Sequence, residues 1–292
     1  MKLRRTNVDF IVDAIIAVVV GLIAWIMLYP FLNVVAVAFS DYSEYLKRPL
    51  MIWPRNINFE AFEYVFSNPL ILNCYKNTVI ITALGTIGGL FLTVVTAYPL
   101  SKRHLKGQKF VMMFIVFTML FNGGLIPKFY LIKSLGMLDT LWALIIPGML
   151  TSFNIILMKN FFEGLPKGLE EAAKIDGAKD IYILYKIIIP LSMPIIATIA
   201  LFIAVSYWNS FFNAVVYIRS TSKWTLQLLL REIIMTSNAA LLQGTNFAEE
   251  KLIQTQSVKY ATLIVVILPI LCLYPFLQKY FVKGVTLGAV KG

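Results

Sequence analysis

The stretch "AIIAVVVGLIAWIMLYPFLNVVAVAF", Ala14 to Phe39, contains no charged side chain. It exceeds the roughly 20 apolar residues with which a helix crosses the hydrocarbon core of a membrane. The runs Thr78 to Leu100 and Tyr260 to Phe276 have the same character. Helices are the expected spanning elements, because a segment in lipid has to satisfy its own backbone hydrogen bonds. The sequence therefore predicts an all-α, polytopic membrane protein.

The composition agrees with this class and argues against others. Of the 292 residues, 59% are hydrophobic and 14% are charged, and the mean hydropathy is +0.78, far from the values of a soluble domain. The net charge of +11 comes from basic residues that flank apolar runs, as topology signals do, so it does not indicate nucleic-acid binding. Cys74 and Cys272 lie far apart in or beside apolar segments and predict neither a disulfide framework nor a metal site.

The N-terminus has some features of a secretory signal. It reads "MKLRR", then an apolar run, then "AVAFS" with Ala36 and Ala38 at the cleavage positions. The apolar run is much longer than the roughly 7 to 15 residues of a signal peptide's hydrophobic region. We therefore interpret this segment as the first membrane span.

Six spans are predicted, and an even number places both termini on the same side of the membrane. The spans cover approximately residues 10–38, 77–100, 109–127, 140–158, 187–211 and 260–279. If residues 101–109 and 159–186 lie on the side of the termini, that side has about twice the density of Lys and Arg of the other. Loops rich in Lys and Arg stay in the cytoplasm. Both termini are therefore predicted to be cytoplasmic.

Two predicted outer segments, Asp41 to Asn73 and Phe212 to Lys259, are long enough to contain structure. In the second, "TLQLLLREIIMTSNAALL" has apolar residues at the spacing of an amphipathic helix, at Leu226, Leu229, Leu230, Ile233 and Ile234. This helix either lies on the membrane interface or contacts a partner or substrate. The polar stretch 243–256 after it predicts a loop. Because no internal repeat is visible, we expect one membrane domain over residues 1–292, with a core of about 70–285.

A polar stretch, "EEAAKIDGAKD" from Glu170 to Asp180, interrupts the apolar pattern within the cytoplasmic segment 159–186. Pro166 suits the first turn of a helix, and the two glutamates follow near the positive end of that helix. Asp176-Gly177 can end it, because glycine adopts the left-handed conformation common after a helix C-terminus. The sequence predicts a helix, a sharp bend at the glycine, and a second helix that runs to Pro190.

The small side chains of Ala172 and Ala173 leave a patch of the first helix that another surface can approach closely. On the residues alone, two interpretations carry equal weight. The helix fits into a groove on a cytoplasmic partner, or the two helices lie along the lipid headgroups.

The motif around this bend resembles the EAA loop of ABC-importer permeases. The family pattern is E-A-A, three residues, G, nine residues and I-x-L-P, and this chain has Glu171-Ala172-Ala173, Gly177, Ile187 and Pro190 at those positions. Ile189 stands where the pattern has Leu, which is a mild departure. Two further stretches, "YWNSFFNAVVYI" from Tyr207 and the tail "QKYFVKGVTLGAVKG" from Gln278, are similar to segments of maltose-permease-like subunits of carbohydrate importers. The resemblance covers about residues 70–292.

The resemblance implies a mechanism in which the loop is a coupling helix, held in a cleft of a cytoplasmic ATPase and moved as a rigid body. The residues that it assigns to this coupling are Glu170, Glu171, Ala172, Ala173, Asp176 and Gly177. ATP and Mg²⁺ would be bound by the ATPase, in agreement with the absence of a phosphate-loop motif from this sequence. No catalytic residue, metal or cofactor is expected in this chain.

The resemblance also implies the partners and the location. These are a second, similar permease subunit, two copies of the ATPase, and an extracellular or periplasmic solute-binding protein that delivers an oligosaccharide, in the plasma (inner) membrane of a bacterium. The outer segment 212–259 would face the binding protein, and the tail 280–292 would reach the ATPases. Outer basic residues such as Lys128 and Arg219 fit an acidic sugar, but lipid headgroups or the binding protein explain them equally well.

Candidates for the substrate pathway are the polar and aromatic residues inside or at the ends of the spans. They are Asn122, Tyr207, Trp208 and Asn209. An aromatic face can stack on a sugar ring while an amide binds its hydroxyls, but an aromatic belt at the membrane interface explains the same residues. Asn122, Gly123 and Gly124 interrupt the third span. The interruption either opens a cavity or permits close helix packing, and we favour packing.

Two other classes of protein are weaker alternatives. A secondary carrier generally needs ionisable residues within its spans, and these spans have almost none apart from Asp13. A membrane enzyme needs clustered catalytic groups, and no such cluster is visible. Within the importer class, a permease for a solute other than sugar is the remaining alternative.

Overall fold

The structure is a computed structural model that describes residues 7–102, 105–242 and 257–272. Within these ranges all regular structure is helical, apart from an isolated antiparallel bridge between Ser40 and Ile57. The prediction of an all-α fold is confirmed. Two compact units are present, one of Met1–Asn68 with Glu232–Ile267 and one of Pro69–Arg231 with Leu268–Gly292. This grouping does not test the expected single membrane domain, which stays a prediction.

The first unit contains α1 (Asn7–Ala38), α2 (Tyr42–Lys47) and α3 (Glu60–Ser67). The apolar part of α1, Phe10–Ala38, matches the predicted first span, and its most apolar window has no buried residue. Among residues 10–38, only Ala36 to Ala38 are buried. A helix with such a continuous exposed apolar surface is suited to lipid or to another membrane protein.

The second unit is built around α4 (Pro69–Leu100), which packs against α8 (Ser152–Glu163) and α12 (Met193–Trp208). Glycines of α4 allow these contacts. A Cβ atom at Gly85 would lie 2.3 Å from the Tyr207 ring, and one at Gly89 would lie 2.7 Å from the carbonyl oxygen of Met149. Real Cβ atoms do not approach other atoms so closely, so the small residues set the distance between the helices.

Three predicted spans are bent helix pairs rather than single helices. They are α5 (Gln108–Leu120) with α6 (Leu125–Ser134) at 112°, α7 (Trp142–Ile145, continued to Gly148) with α8 at 44°, and α10 (Asp180–Ile183, continued to Leu191) with α12 at 83°. The predicted spans 109–127, 140–158 and 187–211 overlap these pairs, and the bends in the second and third pair were not predicted. Two prolines explain the last bend, which lies at Ser192. Pro194 at the start of α12 and Pro190 one turn before it lack the amide hydrogen that a helix interior needs, and the turn before Pro190 widens into a π-helix.

The first bend lies at Asn122 to Gly124, where the sequence predicted an interruption. Gly124 has φ +83°, and its amide donates to the side-chain oxygen of Asn122 at 3.1 Å. Nothing lies within 4 Å of a Cβ atom built on Gly123 or Gly124. The glycines therefore permit a turn of the chain, and the expectation that they serve close helix packing is wrong for the described residues.

One boundary prediction is also wrong, because α4 begins at Pro69 and not near residue 77. The segment between α1 and α4, which was predicted to reach Asn73, therefore ends at Asn68. Polar residues in the first turns of α4 lower the hydropathy there, so hydropathy alone does not reveal that these turns are helical. The side-chain amide of Asn77 is satisfied in the fold, since it donates to the carbonyl oxygens of Ser222 (2.9 Å) and Trp224 (3.1 Å).

The number of spans stays a prediction. Two described helices, α1 and α4, are long and apolar enough to cross a membrane, and the bent pairs raise this to five if each is one span. The sixth predicted span, 260–279, is described as far as residue 272, where Ser257–Cys272 forms a shorter apolar helix. Two short helices, α11 (Ile189–Leu191) and α13 (Phe212–Tyr217), precede and follow α12. The predicted amphipathic helix is confirmed as α14 (Leu226–Leu242). The predicted loop 243–256 and the tail 280–292 lie outside the described residues.

Candidate coupling site

The polar insert forms a helix, a bend and a second helix, as predicted. The helix α9 (Lys167–Ile175) begins after Pro166, and the bend follows at Gly177, where φ is +79°. The amide of Ala178 donates to the carbonyl of Ala173 at 2.9 Å, and that of Gly177 donates to Lys174 at 3.0 Å. These two bonds define a Schellman motif. Nothing lies within 4 Å of a Cβ atom at Gly177, so the backbone conformation alone favours glycine there.

An ion pair spans the bend. The ammonium of Lys174 lies 3.0 Å from the carboxylate of Asp180, which begins α10. Both side chains are largely exposed, at 43% and 67%. Exposed pairs of this kind contribute about 0.2–1 kcal/mol, so the backbone hydrogen bonds account for more of the bend than this pair does.

A second ion pair fixes α9 to the end of α4. The carboxylate of Glu170 binds the ammonium of Lys102, and these side chains are only 21% and 15% exposed. The same ammonium lies 4.2 Å from the centre of the Tyr98 ring, in a cation–π contact. The Tyr98 ring in turn meets Phe162 of α8 edge-on, with 6.3 Å between the centroids. Lys102 therefore connects α9 to the helix bundle.

The opposite face of α9 is open. Glu171, Ala172 and Asp176 are exposed, and Ile175 is 87% exposed. Beyond the bend, Ile181 is 83% exposed. Among the described residues no group of three or more His, Cys, Asp or Glu side chains is placed to hold a metal. Exposed acidic and apolar side chains therefore lie side by side on a helix whose C-terminal bend is held by hydrogen bonds. Such a surface is suited to binding another protein.

The six residues that were assigned to coupling fall into two groups, one exposed and one in contact with the rest of the chain. Glu171, Ala172, Asp176 and Gly177 are exposed. Glu170 is engaged by Lys102, and Ala173 packs partly buried against the core. Their contacts with the chain itself make these two residues anchors in this structure. No observation tests the docking role of the other four, which stays a prediction.

Sequence reasoning missed Lys102, Ile175 and Ile181. Ile175 follows Glu171 by four residues, and the i, i+4 spacing that places both on one side of a helix was a usable signal. The pairing of Lys102 with Glu170 joins residues 68 positions apart and has no local signal.

The aromatic pathway candidates are covered by neighbouring helices. The Tyr207 hydroxyl donates to the carbonyl of Ile145 at 2.6 Å, and its ring lies against Gly85. Trp208 is 7% exposed and meets the Tyr75 ring edge-on. In this structure both side chains therefore pack within the span. Their contact with a sugar stays a prediction.

The two asparagine candidates are exposed and have different surroundings. Asn122 accepts the hydrogen bond from the amide of Gly124 within its own turn. Asn209 accepts one from the Gln227 side chain at 3.3 Å. A role of these two asparagines in the substrate pathway stays a prediction.

Asp139 forms a clamp that sequence reasoning also missed. It adopts φ +55°, and its carboxylate accepts hydrogen bonds from the Ser220 hydroxyl (2.5 Å) and from the amides of Ser220 and Arg219. Lys223 lies 3.2 Å from the same carboxylate. The hydrogen bond from the Ser220 side chain, followed by those from the amides, holds the pKa of Asp139 well below its usual range. The clamp joins the loop before α7 to the segment before α14.

Comparisons with known proteins place the chain in a family. Residues 89–287 match the family described as binding-protein-dependent transport system inner membrane component. Protein LplC of Bacillus subtilis is 42% identical over 290 residues, which are 99% of this chain and 98% of LplC. The polygalacturonan/rhamnogalacturonan transport system permease protein YtcP of Bacillus subtilis is 42% identical over 92% of this chain and 94% of its own.

A solved structure agrees with these sequences. A chain of a bacterial ABC transporter involved in the import of the acidic polysaccharide alginate superimposes with a TM-score of 0.85. It is 34% identical, and the match covers 96% of this chain and 100% of the other. This chain therefore belongs to the family of binding-protein-dependent transport system inner membrane components, the integral membrane permeases of such systems.

Proposed function

We propose that this chain is one permease subunit of an ATP-driven importer for oligosaccharides, and that α9 with its bend at Gly177 docks into a cytoplasmic ATPase. The single observation that carries the proposal is the open face of α9 on an element that Lys102 fixes to the bundle. A surface that bound lipid headgroups would need neither the stiff bend nor the anchor. ATP and Mg²⁺ are bound by the partner ATPase.

The orientation follows from α4. A helix of 32 residues is about 48 Å long, so the ends of α4 lie at opposite faces of the membrane. α9 contacts the Leu100 end through Lys102. We place that end, α9 and both termini in the cytoplasm, and the Pro69 end outside, since the loop 101–109 is rich in Lys and Arg.

We propose an acidic, uronate-containing oligosaccharide as the substrate. Two relatives that cover nearly all of this chain support this class, since one is named for polygalacturonan and rhamnogalacturonan and the other for alginate. Galacturonan and alginate are both polymers of sugar acids. The solute-binding protein delivers the substrate from outside.

The remaining partners are a second permease subunit, a second ATPase copy and membrane lipids. The apolar side chains of α1 and α5 support this assignment, because they are exposed over both helices. Phe110, Phe114 and Phe117 of α5 are each at least half exposed. Such surfaces need lipid or a partner helix to cover them.

The test uses the assembled complex in proteoliposomes. Ile175→Asp and Glu171→Lys should leave the permease in the membrane but reduce ATPase copurification and uptake of a galacturonate oligomer by about tenfold. The first replaces an apolar contact of the docking face with a charge, and the second reverses a charge there. Glu63→Lys is the control, since Glu63 is an exposed glutamate of α3, outside the docking face. Normal copurification and uptake by both docking variants would refute the docking role.

A further inference from the structure

The segment between α1 and α3 encloses a cleft of about 550 Å³. Arg48 and Arg55 line it together with Leu50, Ile52 and Trp53. This volume lies within the range of small-molecule sites, which are mostly apolar and contain a few polar groups. The cleft has the same balance, because its two guanidinium groups stand among large apolar side chains.

Hydrogen bonds from neighbouring residues hold the walls in place. The side-chain amide of Asn33 donates to the carbonyl oxygens of Pro49 and Met51, each at 2.9 Å. The amide of Arg55 donates to the hydroxyl of Ser40 at 3.0 Å, next to the bridge between Ser40 and Ile57. Both ends of the loop are therefore fixed to the end of α1. A loop that is already ordered loses little entropy when it binds a ligand.

The charge of the cleft favours an anion. Its acidic lining residue, Glu44, is paired with Lys47 at 3.0 Å. Among the described residues no ion pair uses Arg48 or Arg55. The planar guanidinium group binds a carboxylate through two parallel hydrogen bonds, which a lysine cannot do.

The apolar wall favours a flat ligand. Trp53 is 79% exposed and Leu50 is 76% exposed, although both are large apolar side chains. An indole face covers the C–H face of a sugar ring well, and the combination of this face with two arginines matches a ring that carries a carboxylate. A neutral sugar would use the indole and leave the arginines without a charged partner.

We propose that this cleft is a subsite for one uronic acid unit of an oligosaccharide, with the ring on Trp53 and the carboxylate on Arg48 and Arg55. The proposal rests on the proposed function for its substrate class and for its location. Residues 41–68 lead directly into Pro69, which is the outer end of α4 in the proposed orientation. In that orientation the chain that carries the cleft leads into α4 from the side on which the substrate arrives.

The test measures binding without the solute-binding protein. The complete complex is placed in nanodiscs and titrated calorimetrically with trigalacturonate and, in parallel, with neutral galactotriose. We expect trigalacturonate to bind about tenfold more tightly, and the double variant Arg48→Gln/Arg55→Gln to lose this preference. Trp53→Ala should weaken both sugars. Lys133→Gln, which removes an exposed charge outside the cleft, is the control and should leave the preference unchanged.

Uptake by the same variants separates the two proposals. If the wild-type complex takes up no galacturonate oligomer, the proposed substrate class is wrong and the subsite falls with it. If uptake is normal and the arginine variant keeps the preference for trigalacturonate, the subsite alone is refuted. Weaker docking of the binding protein with unchanged trigalacturonate binding would also refute it, since the arginines would then serve a protein contact.

Discussion

Replacing Lys102 with alanine should separate ATP hydrolysis from transport. The substitution removes the ion pair to Glu170 and the cation–π contact to Tyr98, which lies 4.2 Å from the ammonium. Because both partners of the ion pair are about four-fifths buried, the loss exceeds that of an exposed pair. We expect about 1–2 kcal/mol, between the values of exposed pairs and of buried charged hydrogen bonds. This energy corresponds to roughly a 5- to 30-fold shift of the equilibrium between anchored and free α9.

The assay is uptake and ATPase activity measured in the same proteoliposomes, with the solute-binding protein at saturation. Lys102→Ala should lower uptake by about 5- to 30-fold and keep ATPase copurification, since the docking face is untouched. Lys159→Ala is a matched control, because the Lys159–Glu163 pair is equally buried (13% and 23% exposed) but lies within α8. The charge swap Lys102→Glu/Glu170→Lys should recover part of the uptake. Wild-type uptake by Lys102→Ala, or an equal loss in Lys159→Ala, would refute the reasoning.

Three further predictions concern backbone geometry and charge. Gly89→Ala should destabilise the protein by about 1–3 kcal/mol in thermal unfolding, because its Cβ would lie 2.7 Å from a backbone oxygen, whereas Gly21→Ala, with nothing within 4 Å, should not. Gly177→Ala should lower uptake about fivefold, since an alanine at φ +79° costs about 1 kcal/mol. Gly168→Ala within α9 is the control and should leave uptake unchanged. Equal uptake by the two variants would contradict the role of the bend. Asp139→Asn should lower the melting temperature at pH 7. The depressed pKa of Asp139 makes its ionised form stabilising above the ordinary pKa of 3.8, so the difference from wild type should shrink as the pH falls below that value; a difference independent of pH would exclude the carboxylate charge as its cause.

Local patterns in the sequence predicted the elements whose causes are local. The long charge-free run of α1 and the bend at Gly177 follow from composition and from the left-handed preference of glycine, and both are present. The EAA motif identified the insert, and the spacing of leucines after Thr225 identified α14.

Features that depend on distant residues could not be predicted in this way. The Lys102–Glu170 pair and the Asp139–Ser220 hydrogen bond join residues 68 and 81 positions apart. The early start of α4 was missed because Asn73 and Lys76 lower the hydropathy of residues 69–76. Asn77, which follows them, has its carbonyl partners 145 and 147 positions away in the sequence. The burial of Tyr207 was not predicted, because Gly85 and Gly148, which make room for its ring, are distant from it in sequence.

The uninterrupted course of α4 has a mechanical consequence. In a bent pair, a displacement at one end can change the angle between the two helices and need not reach the other end. α4 is one helix of 32 residues and has no such bend. Lys102 connects the Leu100 end to α9, and Asn77 connects the Pro69 end to the segment that precedes α14. A stiff rod loaded at both ends moves as one piece. Under the proposed function, α4 would then link substrate capture outside to closure of the ATPases inside. A proline placed midway along α4 should impair both steps together.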